Sequence, residues 1–367
     1  MSVQETMSTG RLAYMPAPGE VELREYPIPA PGPGGAVLET LLAGVCGSEI
    51  HIFHGHHPLQ KSIALGHEIV GRVVALGEGV DRDRAGEPLA VGDAVSVTYF
   101  RACGQCPACA RGELGWCERS LEGWVRPTEE DPHFVGTMGT HYHVDPRQWM
   151  FKLPANVTPL MAAAANCALA QVVNAVEAAQ VRPGQRVVVQ GAGGLGLYSV
   201  GLLKERGATV VCIDGVGPRL ERARAFGADA IIDFTKHTTV EERRARLTEL
   251  IGRGGADVVM DLTGSTAAFA EGIGMVRPGG RLIEVGMVLP GNEVTIDLGA
   301  LARGGVSVIP SHRYEPRHLQ EALAFLSRNA DQLPFEAMID AIYPLEEVGQ
   351  AIEDSAARKV TRAAIRP

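Results

Sequence analysis

No stretch of this 367-residue chain holds the roughly 18 uncharged apolar residues that a membrane-spanning helix needs. There is no basic stripe either. Lys and Arg number 34 against 43 Asp and Glu, a formal net charge of -9, and the two signs are interspersed, so neither nucleic acid nor an anionic membrane surface is an expected partner. Met1 to Arg11 is polar and has no apolar centre, which reads as neither signal peptide nor anchor and points to a cytoplasmic protein. Internal repeats and low-complexity segments are absent. Cysteine is scarce as well, with seven residues, but four of them are crowded together.

That crowd is Cys103, Cys106, Cys109 and, after seven further residues, Cys117. A tetrathiolate set fills all four positions that zinc prefers and leaves none for water or substrate, so it predicts a structural zinc. Disulfides fit poorly with a reducing compartment. An iron–sulfur cluster usually has a three-residue last gap followed by proline. Here Glu118 follows Cys117. Under this reading the chemistry lies elsewhere.

The length suggests two domains. Residues 11–155 are rich in glycine and proline, with short β-branched stretches such as Ile69–Val74 and Ala94–Val97, and read as a mostly β domain. Beyond residue 160 the texture changes. Met161 to Ala179 is alanine-rich and helical, and alternation follows. Strands are expected at Arg186–Gln190, Thr209–Ile213, Ala230–Ile232, Ala256–Asp261, Arg281–Val285 and Val306–Ile309. Helices are expected at Leu195–Arg206, Pro218–Phe226 and Val240–Ile251. Six such strands predict an α/β class, with a doubly wound parallel Rossmann domain beside the β domain. A helix near His318–Arg328, then a strand, short helix and closing strand in Tyr343–Pro367, could return to the first domain. The expected boundaries are 1–165, with a zinc lobe at about 100–120, then 166–311 and 312–367.

Gly191-Ala-Gly193-Gly194-Leu195-Gly196 follows one expected strand and opens an expected helix, the context a dinucleotide fingerprint requires. The first glycine makes the tight turn, the second lets backbone approach a pyrophosphate, and the last lets helix and strand pack. Asp214, 18 residues past Gly196, ends the next strand, where a carboxylate can accept from ribose hydroxyls and repel a 2′-phosphate. NAD is therefore expected over NADP.

Three cysteines remain. Cys212 sits mid-strand and reads as core. Cys46 lies in Gly44-Val-Cys46-Gly-Ser48-Glu49-Ile-His51, and Gly66-His67-Glu68 follows some twenty residues later. Together with the cysteine lobe and the glycine fingerprint, in this order, these motifs resemble the zinc-dependent medium-chain dehydrogenases/reductases, over essentially the whole chain. The resemblance implies a GroES-like catalytic domain and two zinc ions per chain. In the family the third ligand of the catalytic zinc lies 24 residues before the first glycine of the fingerprint, which implies Cys167 beside Cys46 and His67. Alcohol dehydrogenases use cysteine there. A zinc with one exchangeable position can bind an alcohol oxygen and lower its pKa. The resemblance also implies a proton relay through Ser48 and His51, a Glu68 that can ligate zinc transiently, and basic residues Arg219 and Arg362 near the adenosine ribose and the pyrophosphate. Val285 joins the expected cofactor contacts. Family members are usually homodimers or homotetramers, pairing through the strand near Val306–Ile309.

Glu49 stands where the family commonly has aspartate to orient the ligand histidine. Arg313-Tyr314 resembles a pair that polyol dehydrogenases place near substrate hydroxyls, which leaves a sorbitol- or threonine-type polyol or amino-alcohol dehydrogenase as the alternative. His54, His56 and His57 form a loop cluster that no carboxylate or cysteine joins at ligand spacing. It reads as solvated or pocket-lining rather than as a metal site. Trp116, Trp124 and Trp149 read as packing residues, and the segments Ser120–His143 and His54–Pro58, with Arg313, as pocket walls. The expected activity is transfer of hydride from a primary or secondary alcohol to NAD, giving an aldehyde or ketone. Of its rivals, a metal-free quinone reductase would lack the cysteine lobe and the Gly-His-Glu triplet, and a non-catalytic nucleotide-binding sensor would not need a complete ligand set.

Overall fold

The computed structural model describes residues 8–57, 62–287 and 290–367. The chain divides into two compact units, the first comprising 1–167, 315–330 and 335–367, the second 168–314 and 331–334. Among the described residues no helix is long and apolar enough to cross a membrane.

In the first unit, Ala36–Gly44 is the central strand of a seven-stranded sheet. It pairs antiparallel with Val70–Leu76, with His141–Val144 and with the closing strand Ala363–Arg366. The pairing Ala364↔Gly44 and Ile365↔Ala43 ties the end of the chain to the strand that leads into Cys46. A three-stranded sheet of Glu22–Pro27, Thr9–Met15 and Ile63–Ala64 accompanies it. Helix Gly47–Phe53 and the last helix, Val348–Ala356, pack through Ile52 and Phe53 against Val348, Ala351 and Ile352, all nearly solvent-free. Full burial of such a side chain contributes about 1.5–3 kcal/mol, enough to hold the two helices as one body.

The second unit has a six-stranded parallel sheet, in the order Ala230–Asp233, Thr209–Asp214, Arg186–Gln190, Ala256–Asp261, Val276–Glu284 and Ser307–Pro310. The strand order reverses beside Arg186–Gln190, so the carboxyl ends of that strand and of Ala256–Asp261 flank a topological switch point, where this fold class binds ligands. The core is built from Val188, Val211, Ile232, Val259 and Leu282.

All six expected strands are present, five of them within one residue of the expected bounds and one extended at its start. The strand expected at Arg281–Val285 begins at Val276, because Val276 and Arg281 both pair with the neighbouring strand around a register shift. Two helices, Thr266–Ile273 and Leu298–Gly304, were not expected. Both are short and glycine-containing, although Ser265 and Asp297 cap them with side-chain oxygens. The expected helix Met161 to Ala179 is broken into Pro159–Ala162, a π-turn over Ala165–Leu169 and Ala170–Ala179. Single π-turns are frequent at functional positions in helices, and this one carries Cys167.

Candidate functional site

Cys46 stands at the N-cap of helix Gly47–Phe53 in extended backbone, and Glu49 closes the cap by accepting from the Cys46 amide at 3.3 Å. Two residues earlier, a Cβ on Gly44 would lie 2.0 Å from Glu68 Oε2. Only glycine lets Glu68 reach under this turn. At Gly66 the φ of +92° and the crowding by Thr137 likewise demand glycine, and they aim the next residue, His67, inward.

Cys46, His67, Glu68 and Cys167 each offer a ligand atom within 4.8 Å of the others. Cys46 Sγ lies 3.8 Å from Cys167 Sγ, and His67 Nε2 lies 3.3 Å from Cys167 Sγ. Zinc held tetrahedrally by sulfur at about 2.3 Å and imidazole nitrogen at about 2.0–2.1 Å sets those separations at about 3.8 and 3.6 Å, so the donors fit the ion in number, type and spacing. The second carboxylate oxygen of Glu68, Oε2, is buried without a hydrogen-bond partner. A hydrogen bond between the two sulfurs lowers the Cys46 thiol well below its ordinary pKa and raises Cys167 well above it. A bound cation favours the thiolate form of both sulfurs.

Glu49 accepts from His67 Nδ1 at 2.6 Å with both groups buried, so the longer glutamate still holds the ring and leaves Nε2 facing the sulfurs. The alanine-rich run hid a further contributor. Asn166, fully buried beside Cys167, donates to the carbonyls of His67 at 3.0 Å and Val97 at 2.8 Å. The only sequence signal was a polar residue amid Ala162–Leu169. Ser48 Oγ donates to Cys46 Sγ at 3.2 Å, and half-buried His51, whose pKa burial lowers, lies in the same helix. Arg362 donates to Glu68 Oε1 as a buried ion pair. Burial pushes Glu68 up to about 7 against the pull of that guanidinium.

The Trp124 ring packs 5.0 Å from that of His67, and its indole donates to the Tyr99 carbonyl. Trp116, expected as a packing residue, is 57% exposed. Cys212 is buried mid-strand, and burial pushes its thiol up. His54, of the loop cluster, meets a carboxylate after all. Its Nε2 lies 3.0 Å from Glu353 Oε1, supplied from 299 residues away. Of the proposed pocket walls, Pro58 lies outside the described residues.

Cys103, Cys106, Cys109 and Cys117 form the other donor group, also within 4.8 Å. Backbone amides point at the sulfurs, from Cys106 to Cys103 at 3.4 Å and from Cys103 to Cys117 at 3.3 Å. Amides of Cys109 and Glu118 hold the Cys106 thiol down at about 6. Glu315, from a distant part of the chain, accepts from the Leu114 and Gly115 amides at 2.9 and 3.1 Å and clamps the lobe. Nothing in the sequence signalled it.

In the second unit, Gly191 turns the chain at φ +95°, and a Cβ on Gly196 would lie 1.8 Å from the Gly191 carbonyl. Gly193 caps helix Gly194–Glu205, which Leu195 continues, and a Cβ there would meet no protein atom within 4 Å. Packing does not require glycine at 193, so the open space suits an approaching ligand. Asp214 is more committed than expected. Its carboxylate accepts from the amides of Ala192 at 2.7 Å, Gly215 at 2.7 Å and Val216 at 2.8 Å, bracing the glycine loop. Arg219 is half-exposed in the first turn of the next helix. Val285 is buried after its strand. Arg313 has a φ of +59° and its carbonyl accepts from Asn174, while Tyr314 is buried.

Residues 32–155 match the family described as alcohol dehydrogenase GroES-like domain, and residues 194–328 match the family described as zinc-binding dehydrogenase. The chain is 31% identical to 5-exo-hydroxycamphor dehydrogenase of Pseudomonas putida, over 95% of this chain and 96% of that one. It is 30% identical to a sorbitol dehydrogenase of Halalkalibacterium halodurans, over 91% and 92%. An alcohol dehydrogenase structure from Thermotoga maritima superposes with a TM-score of 0.92 at 29% identity, over 98% and 100%. A zinc-binding dehydrogenase structure from Sinorhizobium meliloti, bound to NADP, gives 0.86 at 25% identity, over 98% and 100%. This α/β chain, a GroES-like domain with a six-stranded parallel nucleotide fold, is an oxidoreductase belonging to the zinc-dependent medium-chain dehydrogenases/reductases.

Proposed function

We propose that the protein is a zinc- and NAD-dependent dehydrogenase that oxidises a primary or secondary alcohol to the corresponding carbonyl compound. The observation that carries the reading is the convergence of Cys46, His67 and Cys167 at separations that suit zinc, in the Cys2His composition that alcohol dehydrogenase uses. When bound, zinc supplies Lewis acidity at the substrate oxygen and NAD accepts hydride. The chain's residues do the rest. Glu49 orients His67, and Arg362 steadies Glu68 under the Cys46 turn. Ser48 and His51 carry the alcohol proton outward, His51 with a depressed pKa that suits release near neutrality. The four-cysteine lobe holds the second, structural zinc.

Cofactor choice rests on Asp214. One carboxylate already engaged by three amides still has lone-pair capacity for ribose hydroxyls and places negative charge against a 2′-phosphate. Gly191, Gly193, Gly194, Leu195 and Gly196 would cradle the pyrophosphate, with Arg219 and Val285 toward the ribose and nicotinamide ends. Ser307–Pro310 is the edge strand of its sheet, which supports pairing of two copies there in a homodimer or homotetramer.

Cys46→Ser is expected to abolish alcohol-dependent NADH formation while leaving NADH binding in place. Turnover retained by that variant would refute the assignment, as would metal analysis finding one zinc per chain instead of two. Asp214→Gly is expected to relax discrimination against NADP and to lower the melting temperature, because three amides lose their acceptor. Unchanged selectivity would count against the role.

A further inference from the structure

The histidine loop after the first helix is unused by the reaction, and the fold completes it. Helix Gly47–Phe53 ends with His54 as C-cap, its amide bonded to the Ile50 carbonyl. Gly55, at φ +73°, turns the chain so that the His56 amide donates to the His51 carbonyl at 2.9 Å. The three histidine backbones are thereby fixed to one helix end. Opposite stands the last helix, locked against the first by the Ile52–Phe53 contact with Val348, Ala351 and Ile352, and its next residue is Glu353. The result is a cluster at the surface. His54 Nε2 lies 3.0 Å from Glu353 Oε1, the His54 and His56 rings are 6.1 Å apart, and the His56 and His51 rings are 6.0 Å apart.

We propose that His54, His56 and Glu353 form a third metal site, open to solution, for a divalent transition cation such as zinc or cobalt. Two imidazoles and a carboxylate are the donors that such ions favour. A tetrahedral ion bound at about 2.0–2.1 Å separates an imidazole nitrogen from a carboxylate oxygen by about 3.3 Å, and two ring centres by about 5.2 Å. The His54–Glu353 pair thus needs to open by a few tenths of an ångström. The His56 ring nitrogens stand farther off, beyond 4.8 Å of at least one of the other two donors, and a change of rotamer at the exposed His56 side chain is needed to bring them in. The fourth position is left to water. One consequence rests on the dehydrogenase reading. A cation on His56 places positive charge beside His51 and hinders its acceptance of the alcohol proton, making this an inhibitory site.

The test is titration of Co2+ into protein whose cysteine sites already hold zinc. One further equivalent is expected per chain, with weak visible d–d absorption and none of the near-ultraviolet charge transfer that thiolate ligands give. His56→Ala and Glu353→Gln, both at exposed positions, are each expected to weaken that equivalent by at least about tenfold, whereas His237→Ala is expected to leave it unchanged. Absence of a further equivalent, or one that survives both substitutions, would overturn the site. Added Zn2+ is also expected to slow NADH formation by the wild-type protein and not by His56→Ala. Equal inhibition of the two would overturn the inhibitory consequence. If Co2+ binds as described but no alcohol reduces NAD, the dehydrogenase reading fails and the site stands.

Discussion

Glu284→Gln is expected to stabilise the nucleotide unit at pH 8 and to change it little at pH 5. Glu284 ends one strand of the parallel sheet and Asp261 ends its neighbour, paired in register. Each carboxylate spends one oxygen on local donors, Asp261 Oδ1 on the Thr263 amide and hydroxyl, Glu284 Oε1 on the Met287 amide. The remaining oxygens, Asp261 Oδ2 and Glu284 Oε2, are buried without a donor. Burial and the neighbouring Asp261 push Glu284 up to about 7, so the two carboxyls hold one proton between them through the mildly acidic range. The unfolded chain has its Glu pKa near the ordinary 4.5. Between about 4.5 and 7 the native state therefore binds a proton that the unfolded state has released. Stability is full below that window and falls as pH rises through it.

A carboxyl raised from 4.5 to about 7 would cost about 3.4 kcal/mol when ionised if it were fully buried. Glu284 is partly exposed and screened by water, so about 1–1.5 kcal/mol is the realistic cost above pH 7. Glutamine carries no charge and offers an N–H donor to Asp261 Oδ2. Calorimetric melting is expected to place the variant about 3 °C above wild type at pH 8, with most of the difference gone at pH 5. A difference of the same size at both pH values, or a less stable variant at pH 8, would refute the shared proton.

Gly196→Ala drives a methyl to 1.8 Å from the Gly191 carbonyl, so the glycine loop must open. NADH affinity, read by fluorescence titration, is expected to fall by at least about tenfold while the zinc content of the cysteine sites is unchanged. Glu315→Ala leaves the Leu114 and Gly115 amides without their acceptor, at a cost of about 1–3 kcal/mol for each one left buried and unpaired. A chelator should then strip the four-cysteine lobe faster than in wild type, with the other zinc lost at its usual rate. Equal rates for the lobe in both proteins would show that the clamp does not hold it.

Whatever a short stretch of chain carries complete is legible in the sequence. The six parallel strands announce themselves because strands buried on both faces need runs such as Val187–Val189, and the glycine fingerprint lies within six residues because one turn makes it. The four-cysteine lobe belongs to the same class. Cys167 was reachable only through a family spacing, and neither its π-turn nor the broken helix around it is visible in an alanine-rich run with uniform helical propensity. The tertiary structure alone decided which distant groups meet. It brought Cys167 within ligand distance of Cys46 and His67, set Asn166 behind His67, laid Glu315 across the lobe, and carried Glu353 to His54. It also spent both oxygens of Asp214 on backbone amides, where a sequence shows only a carboxylate at a strand end. The reason is physical. Local backbone chemistry depends on neighbours along the chain, whereas buried polar partners are selected by packing, which pairs residues hundreds of positions apart once the cores around them have closed.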